Sequence, residues 1–341
     1  MATANGTTST KSKHGVIVLG KTRFANDEVA AFEKQHAKVA YFGNASRAEV
    51  IAKVKELAPE GGWTSVVKFG GPAGTVNEEL FGPLKGQLGF VGYIGAGFDS
   101  IDVDWLTSIG AWFSNAPTGV ADPVATTASM FVLMCTRNAV SADLEIRKGG
   151  WRNGFDYALD TRGLVVGIFG MGTIGKLTRD KLQGFGMKIL YHNRHHLSPE
   201  EEKGAEYVSF EDLLTRSQCI VLHCSLQQDN YHKFSDKEFA LMKKGSYIVN
   251  VSRGSVIDEE ALVRALQSGH VARAGLDCFE NEPHPHPYLL TCNRVALYPH
   301  QAGATHVGIY GKEKEVLNNL DDWVTKGKPR DAQNSPVGVK V

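Results

Sequence analysis

The sequence of 341 residues predicts an α/β protein with two doubly wound parallel sheets. Short apolar segments alternate with helical patterns along the whole chain, which is typical of βαβ units and of a parallel sheet covered by helices. The alternation forms two series, separated by a long helical stretch from Asp122 to Arg147. The length is about twice that of a typical domain, so two domains are expected.

The first series contains four predicted strands and two predicted helices. Asn26 is a candidate N-cap for the first helix, because its side chain can accept a backbone hydrogen bond. The strands are expected at Gly15 to Leu19, Lys38 to Phe42, Trp63 to Phe69 and Gly89 to Ile94, and the helices at Asn26 to His36 and Ser46 to Leu57.

The second series begins after the long helical stretch, with further helical segments between its strands. A last helix is predicted from about Ala304 to Val324, and it need not belong to the second sheet. The strands are expected at Leu164 to Phe169, Lys188 to His192, Cys219 to His223, Ser246 to Val251 and Ala272 to Leu276.

Composition excludes several classes of protein. Lys+Arg and Asp+Glu each number 37, so the basic excess of a nucleic-acid-binding protein is missing. No run of about 18 apolar residues indicates a membrane span. The five cysteines are scattered, with no CxxC pair for a metal site, and the first residues lack an apolar signal core. We therefore expect a cytoplasmic protein without a metal, whose residues 1–14 form a solvated tail.

A glycine motif follows the strand that ends at Phe169. Gly170, Gly172 and Gly175 form GxGxxG between that strand and a helix, which predicts a dinucleotide site. The first glycine permits a tight turn, the second lets the backbone approach a pyrophosphate, and the third allows close packing of helix and sheet. A P-loop is excluded because Leu177 stands where Ser or Thr must hold magnesium. A glycine-rich turn without a ligand is the alternative.

The next strand is followed by Asn193 and Arg194. Residues at this place are expected to discriminate between NAD and NADP. A carboxylate at this place would bind the ribose hydroxyls of NAD. Asn193 has no charge to repel a 2′-phosphate, and Arg194 can bind one. NADP is therefore predicted as the preferred cofactor, with NAD as the second choice. In the alternative interpretation Arg194 is a solvated loop residue and NAD binds without a carboxylate.

Three later segments place polar residues after predicted strands. Arg253, Glu282 and His300 lie in these segments. Loops at the carboxyl ends of neighbouring parallel strands converge over one crevice, so these three side chains can meet in space.

These motifs resemble those of the D-isomer-specific 2-hydroxyacid dehydrogenase family, which includes glyoxylate/hydroxypyruvate reductases and D-mandelate dehydrogenases. The resemblance covers the chain from Gly15 to about Lys326. It implies a Rossmann coenzyme domain inserted in a flavodoxin-like substrate domain, with the substrate domain at 1–117 plus 304–341 and the dinucleotide-binding domain at 118–303. It also implies a homodimer built mainly on the coenzyme domain. The matching motifs are Ile94 to Asp102, the glycine loop, Ser252 to Gly254, Leu276 to Pro283 and Pro299 to His300.

The residue types fit the reduction of a 2-keto acid. The planar donor fork of Arg253 can bind the carboxylate and ketone, and His300 can donate a proton because its ordinary pKa is near neutral. Glu282 would bind the other ring nitrogen of His300 and stabilise the imidazolium. In the alternative interpretations, Arg253 caps a helix or pairs with Asp258, Glu282 is a turn residue, and His300 is structural.

Further positions follow from the resemblance alone. Asp277 would hold the nicotinamide carboxamide, and the glycine-containing loops near Gly70 and Gly95 would present N–H groups to the substrate carboxylate. The implied substrate contacts are Phe69, Gly70, Gly71, Gly95, Ala96, Gly97, Arg253 and His300. The implied cofactor contacts are Gly170, Met171, Gly172, Thr173, Ile174, Asn193, Arg194, Cys224, Ser225, Val251, Ser252, Asp277, His300 and Gly303.

The leading hypothesis is an NAD(P)-dependent reductase that converts a 2-keto acid to a D-2-hydroxy acid. Glyoxylate, hydroxypyruvate and bulkier keto acids, aryl ones included, all remain candidates. The alternative is an NAD(H)-sensing, corepressor-like binding protein of the same fold. Trp63, Phe69, Tyr93 and Phe98 either line an apolar pocket for the substrate or belong to the core. His284 and His286 are expected in an exposed turn.

Overall fold

The computed structural model describes residues 14–36, 38–152 and 157–336. The predicted tail therefore lies, apart from His14, outside the described residues. The chain divides into two compact units, the first made of Met1–Val120 and His306–Val341 and the second of Ala121–Thr305.

The strands and helices of the described residues follow one another in the expected alternation. The strands are β1 (Gly15–Leu19), β2 (Lys38–Gly43), β3 (Trp63–Lys68), β4 (Phe90–Tyr93), β5 (Trp112–Ser114), β6 (Val165–Phe169), β7 (Lys188–His192), β8 (Glu206–Tyr207), β9 (Cys219–Leu222), β10 (Ser246–Asn250), β11 (Val271–Leu276) and β12 (Val295–Leu297). The helices are α1 (Asn26–His36), α2 (Arg47–Leu57), α3 (Glu78–Phe81), α4 (Val103–Ser108), α5 (Ala121–Thr136), α6 (Ala139–Arg147), α7 (Thr173–Gly184), α8 (Pro199–Glu202), α9 (Phe210–Arg216), α10 (Asp236–Leu241), α11 (Glu259–Gln267), α12 (Pro287–Thr291) and α13 (His306–Lys326).

The first unit contains a parallel sheet in the order β2-β1-β3-β4-β5, which is the flavodoxin-like order. Both faces of this sheet are covered, so all five residues of β1 are buried. Ile17 and Leu19 pack into the core on one face, and Val16 and Val18 pack into the core on the other. Helix α13, at the end of the described chain, contributes to the second of these cores.

The second unit contains a parallel sheet in the order β12-β11-β10-β9-β6-β7-β8. Successive strands run one way from β6 to β8 and the other way from β9 to β12, which is the Rossmann arrangement. The prediction of two doubly wound parallel sheets, with a Rossmann domain inserted in a flavodoxin-like one, is confirmed. The loops that follow β6 and β9 flank the point where the direction reverses, and ligands bind outside such points.

The helical stretch predicted from Asp122 to Arg147 is interrupted once in the structure. The chain forms two helices, α5 and α6, and Asn138 between them has a left-handed backbone with φ 55°. Asn adopts this conformation more readily than most residues, so it can end one helix and begin the next at a new angle. Strands β5 and β8 were not predicted, because segments of three and two residues carry too little pattern.

Candidate active site

The glycine loop between β6 and α7 has a geometry that fits a pyrophosphate. Gly170 has φ +95°, and a Cβ there would lie 2.7 Å from the backbone nitrogen of Cys224. A Cβ on Gly175 would lie 2.6 Å from the carbonyl oxygen of Gly170, so helix and loop pack without a side chain between them. A Cβ on Gly172 would meet nothing within 4 Å, which leaves open space at the start of α7. The amides of the first helical turn, from Thr173 on, can therefore bind an anion there.

Asn193, directly after β7, is tied to the glycine loop. Its Oδ1 accepts a hydrogen bond of 2.6 Å from the backbone N–H of Met171, and its Nδ2 donates to the carbonyl of Met171 at 3.3 Å. Arg194 is exposed and donates from Nη1 to Oε1 of Gln227 at 3.1 Å. The amide of Asn193 thus fixes the loop, while the guanidinium of Arg194 stands at the surface beside it.

The loop after β9 carries a buried histidine and the predicted cofactor contacts Cys224 and Ser225. His223 shares a hydrogen bond of 2.9 Å with the hydroxyl of Thr178 on α7. Burial lowers the pKa of His223 to about 3, so the ring is neutral near pH 7. Burial also raises the pKa of Cys224 to about 11, which keeps its thiol protonated. His223 and Cys224, at the start of this loop next to Gly170, therefore carry no charge near pH 7.

Asn250, at the end of β10, shapes the turn that presents Arg253. Its Oδ1 accepts hydrogen bonds from the N–H and the hydroxyl of Ser252, at 3.0 and 2.8 Å. Its Nδ2 donates to the carbonyl of Arg253 at 2.9 Å. Sequence reasoning missed this residue, although an Asn at the end of a predicted strand and directly before polar residues was a usable signal.

Arg253 lies in extended backbone, and its Nη1 donates to the carbonyl of Ser252 at 2.8 Å. The next residue, Gly254, packs against the backbone of Phe279, because a Cβ there would lie 1.8 Å from the carbonyl carbon. This contact brings the Arg253 turn against the segment that leads to Glu282. The carboxylate of Asp258 accepts a hydrogen bond from the N–H of Ala261, so it caps α11.

Glu282 and His300 form the hydrogen-bonded pair expected from the sequence. Nδ1 of His300 lies 2.8 Å from Oε2 and 3.0 Å from Oε1 of Glu282. Glu282 also accepts a hydrogen bond of 3.1 Å from the N–H of Phe279, so it stabilises its own turn as well. The side chains of His300 and Glu282 are 47% and 38% exposed, and Glu282 binds the ring of His300 through Nδ1 rather than through Nε2.

The backbone of His300 is held by Asp277, which follows β11. His300 has a left-handed backbone with φ 54°, which is strained for a residue other than glycine. Its N–H donates to the carbonyl of Asp277 at 2.7 Å, and the carboxylate of Asp277 accepts from the N–H groups of Gln301 and Ala302. Asp277 is 2% exposed, and burial raises its pKa. The carboxylate of Asp277 thus already accepts two backbone hydrogen bonds. Its implied contact to the nicotinamide carboxamide stays a prediction.

The predicted substrate loops follow β3 and β4 of the first unit. Gly70 and Gly71 have φ +134° and +91°, and a Cβ on Gly70 would point into open space. A Cβ on Gly95 would lie 2.3 Å from the ring of Tyr93, so this position also needs glycine. The side chain of Phe69 is only 8% exposed and packs in the core, which leaves its backbone for the predicted role.

The remaining aromatic and histidine candidates have structural surroundings. Trp63 is buried in the core, and Phe98 is exposed and packs against Phe113. His286 caps α12, because its Nδ1 accepts a hydrogen bond from the N–H of Tyr288. Among the described residues, no group of three or more His, Cys, Asp or Glu side chains can hold a metal ion. Across the same residues, no helix combines the length and apolarity that crossing a membrane requires.

Comparison with known proteins gives concordant matches. A family model described as "D-isomer specific 2-hydroxyacid dehydrogenase, NAD binding domain" matches residues 129–302. A putative 2-hydroxyacid dehydrogenase of Schizosaccharomyces pombe is 36% identical over 95% of this chain and 97% of its own length. The 4-methyl-2-oxopentanoate reductase A of Aspergillus oryzae is 41% identical over 76% of this chain and 78% of its own length.

The solved structure of a glyoxylate reductase from Paecilomyes thermophila superposes with a TM-score of 0.89. It is 34% identical and covers 94% of this chain and 98% of its own. Likeness of this extent, together with the glycine loop and the ordered strand-end motifs, identifies the family. The chain belongs to the D-isomer specific 2-hydroxyacid dehydrogenases, and is an oxidoreductase with a Rossmann domain for a nicotinamide cofactor.

Proposed function

We propose that this protein reduces a 2-keto acid to the corresponding D-2-hydroxy acid and prefers NADPH as the reductant. The observation that carries the proposal is the pair of His300 and Glu282, held at 2.8 Å beside the turn that presents Arg253. Residues 118–303 are assigned to the coenzyme, and residues 1–117 with 304–341 are assigned to the substrate.

Each of the three side chains has one role in the proposed reaction. The glycine loop would hold the pyrophosphate of the coenzyme, whose reduced nicotinamide would supply the hydride. Arg253 binds the substrate carboxylate through its donor fork and orients the ketone. His300 gives the proton on Nε2 to the ketone oxygen, and Glu282 stabilises the protonated ring from the Nδ1 side before that transfer.

The proposed substrates are glyoxylate, hydroxypyruvate and bulkier keto acids. The relatives include a glyoxylate reductase and a 4-methyl-2-oxopentanoate reductase, so both small and branched substrates are represented among them. Trp63 and Phe69 are buried in the core, which removes two of the four aromatic side chains that the sequence offered for an aryl pocket. Small and branched keto acids are therefore the first to test.

Support for NADPH comes from the end of β7. Asn193 provides no negative charge, and the exposed guanidinium of Arg194 stands beside it. A 2′-phosphate on the adenosine ribose would meet a cation there rather than a carboxylate. NADH is proposed as the less efficient reductant.

We also propose a cytoplasmic homodimer that is built on the coenzyme domain. Ile146, Trp151 and Leu159 are large apolar side chains that are exposed in the described part of this domain. A partner subunit that covered these side chains would remove apolar surface from water, which favours association. Sedimentation velocity of the wild type and of Trp151→Glu tests this directly, since the wild type should sediment as a dimer and the variant should dissociate. A monomeric wild type would contradict the proposal.

The proposed activity is tested with purified protein, NADPH or NADH, and a panel of glyoxylate, hydroxypyruvate, 4-methyl-2-oxopentanoate and an aryl 2-keto acid. Oxidation of NADPH that depends on the keto acid is expected. The products from hydroxypyruvate, 4-methyl-2-oxopentanoate and the aryl keto acid should be D-configured by chiral chromatography, whereas the product from glyoxylate is achiral. A cofactor-sensing binding protein would bind NADPH tightly and consume none with any member of the panel. An L-configured product would contradict the assignment of stereochemistry.

A further inference from the structure

A second histidine lies close to the candidate active site without belonging to the catalytic pair. His232, between β9 and α10, has a left-handed backbone with φ 47°. Its N–H donates to the carbonyl of Ser255 at 2.8 Å, and the N–H of Phe234 donates to the carbonyl of Val256 at 3.1 Å. This segment therefore runs alongside the chain that directly follows Arg253.

The side chain of His232 reaches the neighbouring segment. Its Nε2 lies 2.6 Å from Oε1 of Glu280, and both side chains are about two-thirds buried. The ring of Tyr231 stacks on His232 at 4.0 Å between centroids. Oε2 of Glu280 accepts a hydrogen bond of 3.2 Å from the N–H of Glu259, and the N–H of Glu280 donates back to the carboxylate of Glu259 at 3.0 Å. Glu280 is thus held from two sides.

Glu280 belongs to the same short segment as Glu282. In this segment the N–H of Phe279 donates to Glu282, whose carboxylate binds Nδ1 of His300. Phe279 also forms the close backbone contact with Gly254, next to Arg253. His232 therefore bridges, from one side, the two segments that carry the proposed carboxylate clamp and the partner of the proposed acid.

We propose that His232 is a positioning residue for the reaction, which fixes the segment from Phe279 to Glu282 through its hydrogen bond to Glu280 and so directs Glu282 onto His300. The inference rests on the proposed roles of Glu282 and His300. A hydrogen bond between a carboxylate and an imidazole is directional, so a small displacement of Glu282 weakens its support of the protonated ring. Without the donor of His232, the carboxylate of Glu280 keeps the hydrogen bond from the backbone N–H of Glu259 but loses the one that ties it to the segment after β9.

Two substitutions separate the hydrogen bond from the packing of the ring. His232→Phe keeps a ring to stack on Tyr231 and removes the donor, whereas His232→Gln keeps an N–H donor; both carry the same backbone strain. We expect His232→Phe to lower kcat on a 2-keto acid by about ten-fold, with the Kd of NADPH unchanged, and His232→Gln to recover most of the loss. His270→Phe is the matched control, because Nε2 of His270 also makes one hydrogen bond, to the carbonyl of Met242 at 2.9 Å.

A double-mutant cycle with Glu282→Gln tests whether His232 acts through Glu282. In that background, His232→Phe should lower kcat no further. This inference would be overturned if the losses of kcat in the two single variants added up in the double variant. It would also be overturned if folded His232→Phe kept the wild-type kcat while Glu282→Gln was impaired. Either result would leave the proposed function in place. A wild-type kcat in Glu282→Gln would overturn the proposed role of Glu282, and this inference with it. Should the Phe variant fail to fold, His232→Asn serves in its place, since Asn tolerates the left-handed backbone but is too short to reach Glu280.

Discussion

His300 combines a strained backbone with an accessible ring. Asp277 holds the backbone through the carbonyl and carboxylate contacts to residues 300–302, while Glu282 holds the ring from Nδ1. One nitrogen is therefore fixed by the protein, and the other can meet a substrate. Because different residues hold the backbone and the ring of His300, substitutions can test their proposed roles separately by kinetics.

His300→Ala should lower kcat on a 2-keto acid by about a hundred-fold or more, which is the usual scale for loss of a general acid. The Kd of NADPH, measured by fluorescence titration, should change little because the ring contributes its proton to the substrate. His284→Ala, in the nearby exposed turn, is the control and should retain kcat. Near-wild-type turnover of His300→Ala across the pH range would eliminate His300 as the acid.

Arg253→Lys should raise KM and lower kcat/KM for the keto acid by about ten- to a hundred-fold. The substitution keeps the charge but loses the planar fork that can bind carboxylate and ketone together. Steady-state kinetics with the keto acid varied at saturating NADPH measure both constants. A change confined to the KM of NADPH would show that Arg253 serves the coenzyme instead.

The cofactor preference should depend on the two residues after β7. Asn193→Asp combined with Arg194→Ala should shift the ratio of kcat/KM values toward NADH by about ten- to a hundred-fold, because one charge-assisted contact contributes about 1.5–3 kcal/mol. Asn193→Asp keeps an acceptor for the N–H of Met171 and loses the donor to its carbonyl, so each single variant must be measured as well.

Lys188→Ala is the control for the removal of a cation, since Lys188 lies at the other end of the same strand. The wild type should use NADPH with the higher kcat/KM. The proposed binding of the 2′-phosphate would be refuted if the wild type had the higher kcat/KM with NADH. It would also be refuted if the double substitution left the ratio of kcat/KM values for the two cofactors unchanged.

Among the helices and strands, those with a clear apolar side-chain pattern were predicted from the sequence. Buried strands such as β1 and β6 were predictable, because a parallel sheet covered on both faces requires continuous apolar runs. The break at Asn138 was not, since apolar residues continue on both sides of it and only the backbone angle reveals it. In the site, His300 and Glu282 were candidates because of their residue types. The position of Asn250 after a predicted strand was a usable signal, but its hydrogen bonds to backbone groups become visible only in the folded turn.

Helix α13 stabilises the loop after β1 through one buried carboxylate. Glu313 is 1% exposed and accepts hydrogen bonds from the backbone N–H groups of Arg23, Phe24 and Ala25 at 2.6–2.9 Å. Glu313→Ala should lower the free energy of unfolding by about 3 kcal/mol, because the buried N–H of Ala25 and the partly buried N–H groups of Arg23 and Phe24 lose a charged acceptor. Glu313→Gln keeps one acceptor oxygen and should lose less.

Urea denaturation followed by circular dichroism measures these differences in stability. Lys314→Ala, at an exposed neighbouring position, is the control and should change stability little. Equal stabilities of wild type and Glu313→Ala would show that water replaces the carboxylate at no cost.

For the whole molecule, the stability of the second unit should fall in mild acid. Burial lowers the pKa of His223 to about 3, whereas in the unfolded chain the ring titrates near about 6.5. Between these values the unfolded chain binds a proton that the folded chain does not. Protonation of His223 therefore does not affect the free energy of unfolding above about pH 6.5. Below about pH 6.5 it lowers the free energy of unfolding by about 1.4 kcal/mol per pH unit, down to about pH 3.

Unfolding measured at pH 7.5 and 5.5 tests this dependence. The wild type should lose more stability than His223→Gln by about 1.4 kcal/mol over this interval, since Gln does not titrate. The comparison of slopes is independent of how much the substitution itself destabilises the fold. Parallel slopes would show that His223 is protonated in the folded protein.

The placement of α13 has a consequence for synthesis on the ribosome. Val316 and Leu320 of this helix pack in one core with Val16 and Phe90, so one face of the first sheet is completed by residues that are translated after the whole second unit. The second unit, in contrast, is a continuous segment that ends at Thr305. A nascent chain that has emerged only to Thr305 thus has the whole coenzyme unit available for folding. The core that includes Val16 and Phe90 still lacks the side chains of α13 at that moment, so part of its apolar surface is within reach of chaperones and proteases.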